Sequence, residues 1–294
     1  MKVLVTGAGG MLGRAVCRNL AAGHEVIAAT RGELDVTDRA ALQGRLDRAR
    51  PDWVVHLAAL TDVDRCEREP AAAQRANVEG PTLLARQCAA RGFQLVHVST
   101  DYVFPGNAER PYREDDPPAP SSEYGRSKLA GEQSVLALCP TALVVRTSWV
   151  FGRGRNFVAA ILAQAVERRR QGDPAPLRVV DDQRGRPTYA ADLAAAIVRL
   201  VEAGARGLYH VANRGETTWW ELARASLDEA GFGELKVERI RTRDLSLPAP
   251  RPTYSVLDCS KAEALGVSPR SWRDALRAFL HSPDSPLAPE GKVA

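Results

Sequence analysis

Tyr124 and Lys128 stand four residues apart in Ser121-Ser122-Glu123-Tyr124-Gly125-Arg126-Ser127-Lys128, and the following Leu129-Ala130-Gly131-Glu132 favours helix. Four residues is about one helical turn, so a phenol and an ammonium would project from one face. An ammonium held there favours phenolate and draws a tyrosine pKa, about 10 unperturbed, toward neutrality. Tyr124 would then serve as a proton donor or acceptor. By itself the pair is more simply a solvated helix face, so the elements around it have to decide.

The chain begins with those elements. Val3-Leu4-Val5 within residues 2–6 reads as a short buried strand. Gly7, Gly10 and Gly13 follow in a G-x-x-G-x-x-G turn, and Leu12, Val16 and Leu20 recur at helical spacing behind it. Strand, glycine turn and helix form the context of a dinucleotide site. The glycines let the backbone approach a pyrophosphate, which sits at the helix N-terminus. A second strand covers residues 24–29. An acidic residue about 20 positions past the glycines would bind the adenosine 2′-hydroxyl. Thr30-Arg31 stands there instead, and a guanidinium suits a 2′-phosphate, so NADPH is preferred. Glu33 is near enough to leave NADH open. Asp35 is placed to meet the adenine edge, while Thr37 or Asp38 caps the next helix.

Residues 52–59 read as a third strand, whose Ala58-Ala59 would let the backbone pass close to the cofactor, with His56 a core histidine. A helix over 71–91, carrying Asn77, leads to a fourth strand at 94–100 ending in Ser99-Thr100. Residues at the carboxyl ends of parallel strands face the ligand crevice. Residues 105–120 form a loop with a solvated acidic patch, Glu114-Asp115-Asp116, and 142–147 is a fifth strand after the Tyr124 helix. The order describes an α/β fold, a Rossmann-like doubly wound parallel sheet. Past Gly152 the pattern predicts helix 156–170, strand 177–180, loop 184–187 and helix 192–202. Thr218-Trp219-Trp220-Glu221 then opens a helix with a capping box, its tryptophans read as packing. Strand 236–240 and helix 272–280 complete a smaller mixed substrate domain. The expected division is 1–150 for the dinucleotide, with 188–204 returning to it, 151–187 and 205–281 for the substrate, and a disordered tail at 282–294. In the rigid run Leu247-Pro248-Ala249-Pro250-Arg251-Pro252, Arg251 would either neutralise a diphosphate or pin the loop.

Composition narrows the classes. A formal charge of +4 over 294 residues does not announce nucleic acid. Five scattered cysteines with no C-x-x-C spacing point to reduced thiols and a cytoplasmic protein, not to disulfides or zinc. No metal-ligand cluster, signal peptide, membrane span or repeat is expected.

Together these pieces resemble the extended short-chain dehydrogenase/reductase family, with its N-terminal G-x-x-G-x-x-G turn, a hydroxyl ending strand four, and Tyr-x-x-x-Lys one loop later. Further stretches are similar to its dTDP-4-dehydrorhamnose reductase branch: Ser99-Thr100-Asp101-Tyr102-Val103-Phe104-Pro105-Gly106-Asn107, Arg146-Thr147-Ser148-Trp149-Val150-Phe151 and Asp182-Gln183-x-Gly185-x-Pro187-Thr188. So are Tyr124-Gly125-x-x-Lys128-x-x-Gly131-Glu132, Gly207-x-Tyr209-His210 and Arg251-Pro252. The resemblance implies hydride transfer from NAD(P)H to C4 of a dTDP-linked 4-keto-6-deoxy sugar. Tyr124 would protonate the oxygen, Thr100 would hydrogen-bond it, and Lys128 would bind the nicotinamide ribose. It implies further that Asp101 and Trp149 touch the sugar, and that Gly10, Met11, Leu12, Asp35, Val36, Ala58, Ala59 and Leu60 line the cofactor. Dehydratases of the superfamily carry Thr-Asp-Glu where this chain has Thr100-Asp101-Tyr102, so the resemblance favours net reduction. A ketoreductase or epimerase for another activated deoxysugar, and a non-catalytic NADP-binding subunit, stay open, as do monomer and homodimer. The intact Thr100, Tyr124 and Lys128 weigh against the last of these functions.

Overall fold

Alternate residues of the first strand belong to different cores, and this period of two organises the first half of the chain. The computed structural model describes residues 1–288. Its first half runs β1 (Lys2–Thr6), α1 (Met11–Leu20), β2 (Glu25–Ala29), α2 (Arg39–Ala49), β3 (Trp53–His56), α3 (Val63–Arg68), α4 (Pro70–Gln74), a π-helical turn (Arg75–Glu79), α5 (Gly80–Arg91), β4 (Gln94–Thr100), α6 (Glu123–Leu138) and β5 (Leu143–Thr147). There follow β6 (Val150–Phe151), α7 (Phe157–Gln171), β7 (Leu177–Val180), β8 (Arg184–Gly185), β9 (Thr188–Tyr189), α8 (Ala190–Glu202), β10 (Gly207–His210), β11 (Thr217–Thr218), α9 (Trp219–Glu229), β12 (Val237–Ile240), α10 (Ser260–Glu263) and α11 (Trp272–Leu280).

Six strands form one parallel sheet in the order β10-β5-β4-β3-β1-β2. Val3, Val5, Trp53, Val55, Val96, Leu143 and Val145 face α1 and α8, in one core with Val16, Leu193 and Ile197. Leu4, Val54, Leu95 and Val144 face the other way, against Leu42, Leu84 and Val135 of α2, α5 and α6. Because β1 lies between β2 and β3, the chain reverses direction across the sheet beside β1, and a crevice opens at the carboxyl ends there. A separate core joins α7, α9, α11 and β7 through Leu162, Leu222, Leu276 and Leu177.

Several expectations need correction. The strand at 207–210, assigned to the substrate part, extends the nucleotide sheet: Gly207 N donates to Ala142 O at 2.8 Å and Leu208 lies beside Val144. It covers what would otherwise be an open edge at β5. The third strand stops at His56, and a further helix, α3, precedes the expected one. The helix read as 71–91 is broken by the π turn, where Asn77 clamps Leu60: Leu60 N donates to Asn77 Oδ1 at 2.8 Å, and Asn77 Nδ2 donates to Leu60 O at 3.0 Å. The acidic patch is partly engaged, since His210 N donates to Glu114 and Arg110 pairs with Asp116. The expected disordered tail is ordered over 282–288, where Arg18 holds Asp284 through contacts of 2.8 and 3.1 Å and Ser285 is buried. Residues 289–294 lie outside the described residues. All five cysteines are free thiols. Among the described residues no helix is long and apolar enough to cross a membrane.

One buried charge network ties α6 to the sheet. Arg146 of β5 grips Glu132 of α6 through Nε and Nη2 at 3.0 and 2.5 Å, with side-chain exposures of 3% and 2%. Its Nη1 reaches His210 Nε2 at 3.4 Å, while His210 Nδ1 lies 3.1 Å from the carbonyls of Tyr112 and Asp258. Arginine only donates, so Nε2 accepts and Nδ1 carries the hydrogen. Burial, with Arg146 beside it, pushes the His210 pKa down to about 3, so the ring is neutral.

Candidate active site

The carboxyl ends of β1, β3, β4 and β5 open into one cleft, with a cavity of about 460 Å³ on the Arg31 side of Gly7 and Gly10 and one of about 470 Å³ on the Tyr124 side. Gly7 turns β1 into α1 with a φ of +70°, and a Cβ there would come within 2.6 Å of Ala58 N. Only glycine lets this turn lie against the end of β3. Gly10 is the N-cap of α1 and offers no side-chain cap. The first-turn N–H groups are therefore open to an anion, and the helix dipole favours one.

Arg31, Asp35, Val36, Ala58, Ala59 and Leu60 line the first cavity, while Met11, Leu12 and Gly13 line the second. The charges around the first cavity discriminate between cofactors. Thr30 N and Oγ1 both donate to Glu33 Oε2 at 2.8 Å, which holds that carboxyl below its usual range. Glu33 is thus turned onto its own turn. Asp35 accepts from Thr37 N and Oγ1 at 2.9 and 2.7 Å, and Asp38 caps α2. Arg31 makes no hydrogen bond or ion pair among the described residues, so its guanidinium is free for a 2′-phosphate. Glycine turn, uncapped helix and free guanidinium together fit a phosphorylated dinucleotide. Arg31→Ala should weaken NADPH by about 10- to 100-fold, the range of one charge-assisted hydrogen bond, and leave NADH unchanged. Titration with both cofactors checks this, and equal losses would refute the role.

In the second cavity Thr100 and Asp101 from the end of β4 meet Tyr124 and Lys128 from α6, with Trp149 beyond β5. The local sequence explains the meeting. Ser122 caps α6, accepting from Gly125 N at 3.2 Å. Gly131 lets the helix seat against the π turn, because a Cβ there would lie 2.0 Å from Asn77 O. Tyr124, Lys128 and Glu132 consequently share the inward face, all three buried. Lys128 Nζ donates to Val98 O at 2.8 Å. Burial draws its pKa down to about 8, with Glu132 opposing the fall. Thr100 Oγ1 donates to Asp101 Oδ1 at 2.9 Å and accepts from Tyr102 N at 3.2 Å. Burial raises the Asp101 carboxyl to about 6.

Tyr124 departs from expectation. Its pKa is pushed up by burial, with Thr100 holding the rise back and Asp101 adding to it. Lys128 does not lower it. Desolvation outweighs a cation already engaged by a carbonyl, so Tyr124 is a neutral phenol, a proton donor rather than a base.

Arg251 is outside the cleft lining: Nη2 donates to Asp64 Oδ2 at 2.8 Å and Nη1 to Ala249 O at 2.9 Å. Its guanidinium pins the 247–252 loop to α3. Trp219, read as packing, lines the cleft with Thr61, Val63 and Arg155. Its place just after an N-cap was legible, but its approach to Trp149 depends on long-range pairing. Trp220 does pack, under Arg239, with Nε1 donating to Val237 O at 3.1 Å. His56 is a core residue whose Nδ1 lies 2.8 Å from Thr6 Oγ1. No cluster of three or more potential metal ligands occurs among the described residues.

Comparison with known proteins places this geometry in context. The family described as the RmlD substrate binding domain matches residues 1–284. A dTDP-4-dehydrorhamnose reductase of Streptomyces griseus is 46% identical over 282 residues, 93% of this chain and 91% of that protein. The spore coat polysaccharide biosynthesis protein SpsK of Bacillus subtilis is 43% identical over 97% of this chain and 98% of its own. The crystal structure of a Bacillus anthracis dTDP-4-dehydrorhamnose reductase in complex with NADP superposes with a TM-score of 0.89 at 35% identity, covering 95% of this chain and 99% of that one.

Proposed function

The chain belongs to the RmlD substrate binding domain family, and from that membership we propose that it reduces dTDP-4-dehydro-L-rhamnose to dTDP-L-rhamnose with NADPH. The observation that carries this reading is the convergence of Thr100, Tyr124 and Lys128 at the end of a cleft that begins at the glycine turn. Arg31, the α1 N-terminus, Asp35, Val36, Ala58, Ala59, Leu60 and Lys128 would hold the cofactor. A reduced nicotinamide, when bound, supplies the hydride that a ketone carbon accepts.

The chain's own task is the oxygen. Adding hydride to a carbonyl leaves an alkoxide, which takes the proton of Tyr124. The high phenol pKa keeps that proton in place until negative charge develops on the substrate. General acid help of this kind contributes about 10²–10⁴ in rate, and positioning supplies the remainder. Thr100 orients the same oxygen once its hydroxyl turns from Asp101. Lys128, fixed on Val98 O, keeps a positive charge where negative charge forms. Tyr102, a half-buried phenol, stands where elimination of water would need a second carboxylate, which supports reduction over dehydration.

The sign of the alkaline limb follows from these groups. Lys128 carries its charge below about 8 and loses it above, while Tyr124 stays neutral throughout that range. kcat/KM should therefore fall above pH 8, by roughly tenfold per unit. Lys128→Arg should move the limb beyond the accessible range. A limb unmoved by that substitution would contradict the assignment to Lys128.

The reaction is tested by mixing purified protein, NADPH and the 4-keto nucleotide sugar and following loss of reduced-nicotinamide absorbance. No consumption by folded, NADPH-binding protein would overturn the reading. An epimerase that cycles its own cofactor would give product with no net consumption.

A further inference from the structure

Trp149 has a backbone conformation that needs holding. Its φ is +46°, in the left-handed region that bulky residues rarely adopt. Its ring is confined by neighbours from distant parts of the chain. A Cβ at Gly185 would lie 2.5 Å from the indole, so residue 185 closes one side. Trp219 stacks on the ring with centroids 3.7 Å apart and planes within 7°, and Phe157 supports Trp219 at 4.6 Å. Trp219 is in turn tethered. Its Nε1 donates to Gln183 Oε1 at 3.0 Å, Gln183 Nε2 donates to Thr242 Oγ1 at 2.9 Å, and Thr242 Oγ1 donates to Asp182 Oδ1 at 2.7 Å. Both indoles line the half of the cleft that holds Thr100, Tyr124 and Lys128.

We infer that Trp219 is a positioning residue: through its stack it fixes Trp149 as a rigid wall, and that wall selects among 4-keto-6-deoxy sugars by ring stereochemistry. The inference rests on the reductase reading for the class of ligand. A backbone outlier persists only where its surroundings over-determine it, and here the stack and the Gly185 contact do so. A flat indole accepts the C–H face of one pyranose epimer and meets the substituents of another. Held rigidly it rejects the second; free to swing, it admits both. A side chain that merely filled the lobe would change stability and leave this discrimination alone.

The test compares Trp219→Ala, Trp219→Phe and Gln183→Leu with the parent protein. Calorimetry in the presence of NADP gives the affinities for dTDP-4-dehydro-L-rhamnose and for dTDP-4-dehydro-6-deoxy-D-glucose. Circular dichroism reads the exciton couplet that two stacked indoles produce. Trp219→Ala should lose the couplet and narrow the affinity ratio by about tenfold or more, with NADP affinity within about twofold of the parent. Trp219→Phe, which keeps a flat stack, should hold the ratio within about threefold. Gln183→Leu leaves both indoles and should narrow the ratio by an intermediate factor; it carries the test if Trp219→Ala does not fold. An unchanged ratio in Trp219→Ala, or in Gln183→Leu with its couplet weakened, would overturn the inference. Turnover is scored separately: an inactive parent protein sinks the reductase reading, while the affinity ratio still judges the wall.

Discussion

Tyr124→Phe should lower kcat by about 10²–10⁴ while leaving the NADPH dissociation constant within about twofold. The substitution removes one oxygen from a buried ring and little else. Ser122 still caps α6, Gly131 still seats the helix on the π turn, and Lys128 still donates to Val98 O. The edge-on packing against Tyr102, with centroids 5.4 Å apart, needs only the ring. What disappears is the proton for the alkoxide, since Thr100 orients that oxygen by a hydrogen bond without giving up its proton and Lys128 is held on the Val98 carbonyl. A loss confined to kcat marks an interaction made in the transition state. Steady-state kinetics with cofactor titration separate the two effects. A variant that kept most of its rate would show that the proton comes from elsewhere.

Glu132→Ala should destabilise the fold by about 3–5 kcal/mol, because it strands the Arg146 charge in the interior. For a chain of this size that corresponds to a fall of roughly 5–15 °C in Tm. The neighbouring His210 cannot take over, since its Nε2 already accepts from Arg146 and its ring is neutral. Replacing both partners with apolar residues, Glu132→Met with Arg146→Leu, should recover most of the loss, because it removes the uncompensated charge. The same carboxylate supports the Lys128 charge from one turn along α6. Glu132→Gln should therefore also move the alkaline limb of kcat/KM to lower pH. Thermal unfolding together with a pH–rate profile checks both consequences. A Tm within a degree or two of the parent would show that the pair contributes little.

What could be read in the residues was mostly what is local. The glycine turn is contiguous with the strand and helix that define it, so the cofactor end of the cleft was legible from Lys2 to Leu20. Tyr124 and Lys128 are one turn apart on a helix that Ser122 caps, and Thr100 closes a strand of ordinary pattern. Pairings between distant segments were not legible. Leu208 and Tyr209 carry no signal for the edge of β5, and Trp219 reaches Trp149 only because Gln183 and Thr242 come together from separate parts of the chain. Arg251 could bind an anion or pin a loop on its sequence alone; its ion pair with Asp64, far earlier in the chain, depends on the fold. Spacing also says nothing of desolvation. It placed an ammonium near a phenol, but burial raises the Tyr124 pKa and lowers that of Lys128.

Isotope transfer reads the proposed chemistry most plainly. NADPH deuterated at both positions of nicotinamide C4 is turned over with dTDP-4-dehydro-L-rhamnose, and the sugar product is examined by NMR. Reduction at C4 predicts one deuterium on C4 of the sugar, none on its other carbons, and one equivalent of NADP formed. Protium at C4 with the cofactor unconsumed, or deuterium at any other sugar carbon, would contradict it.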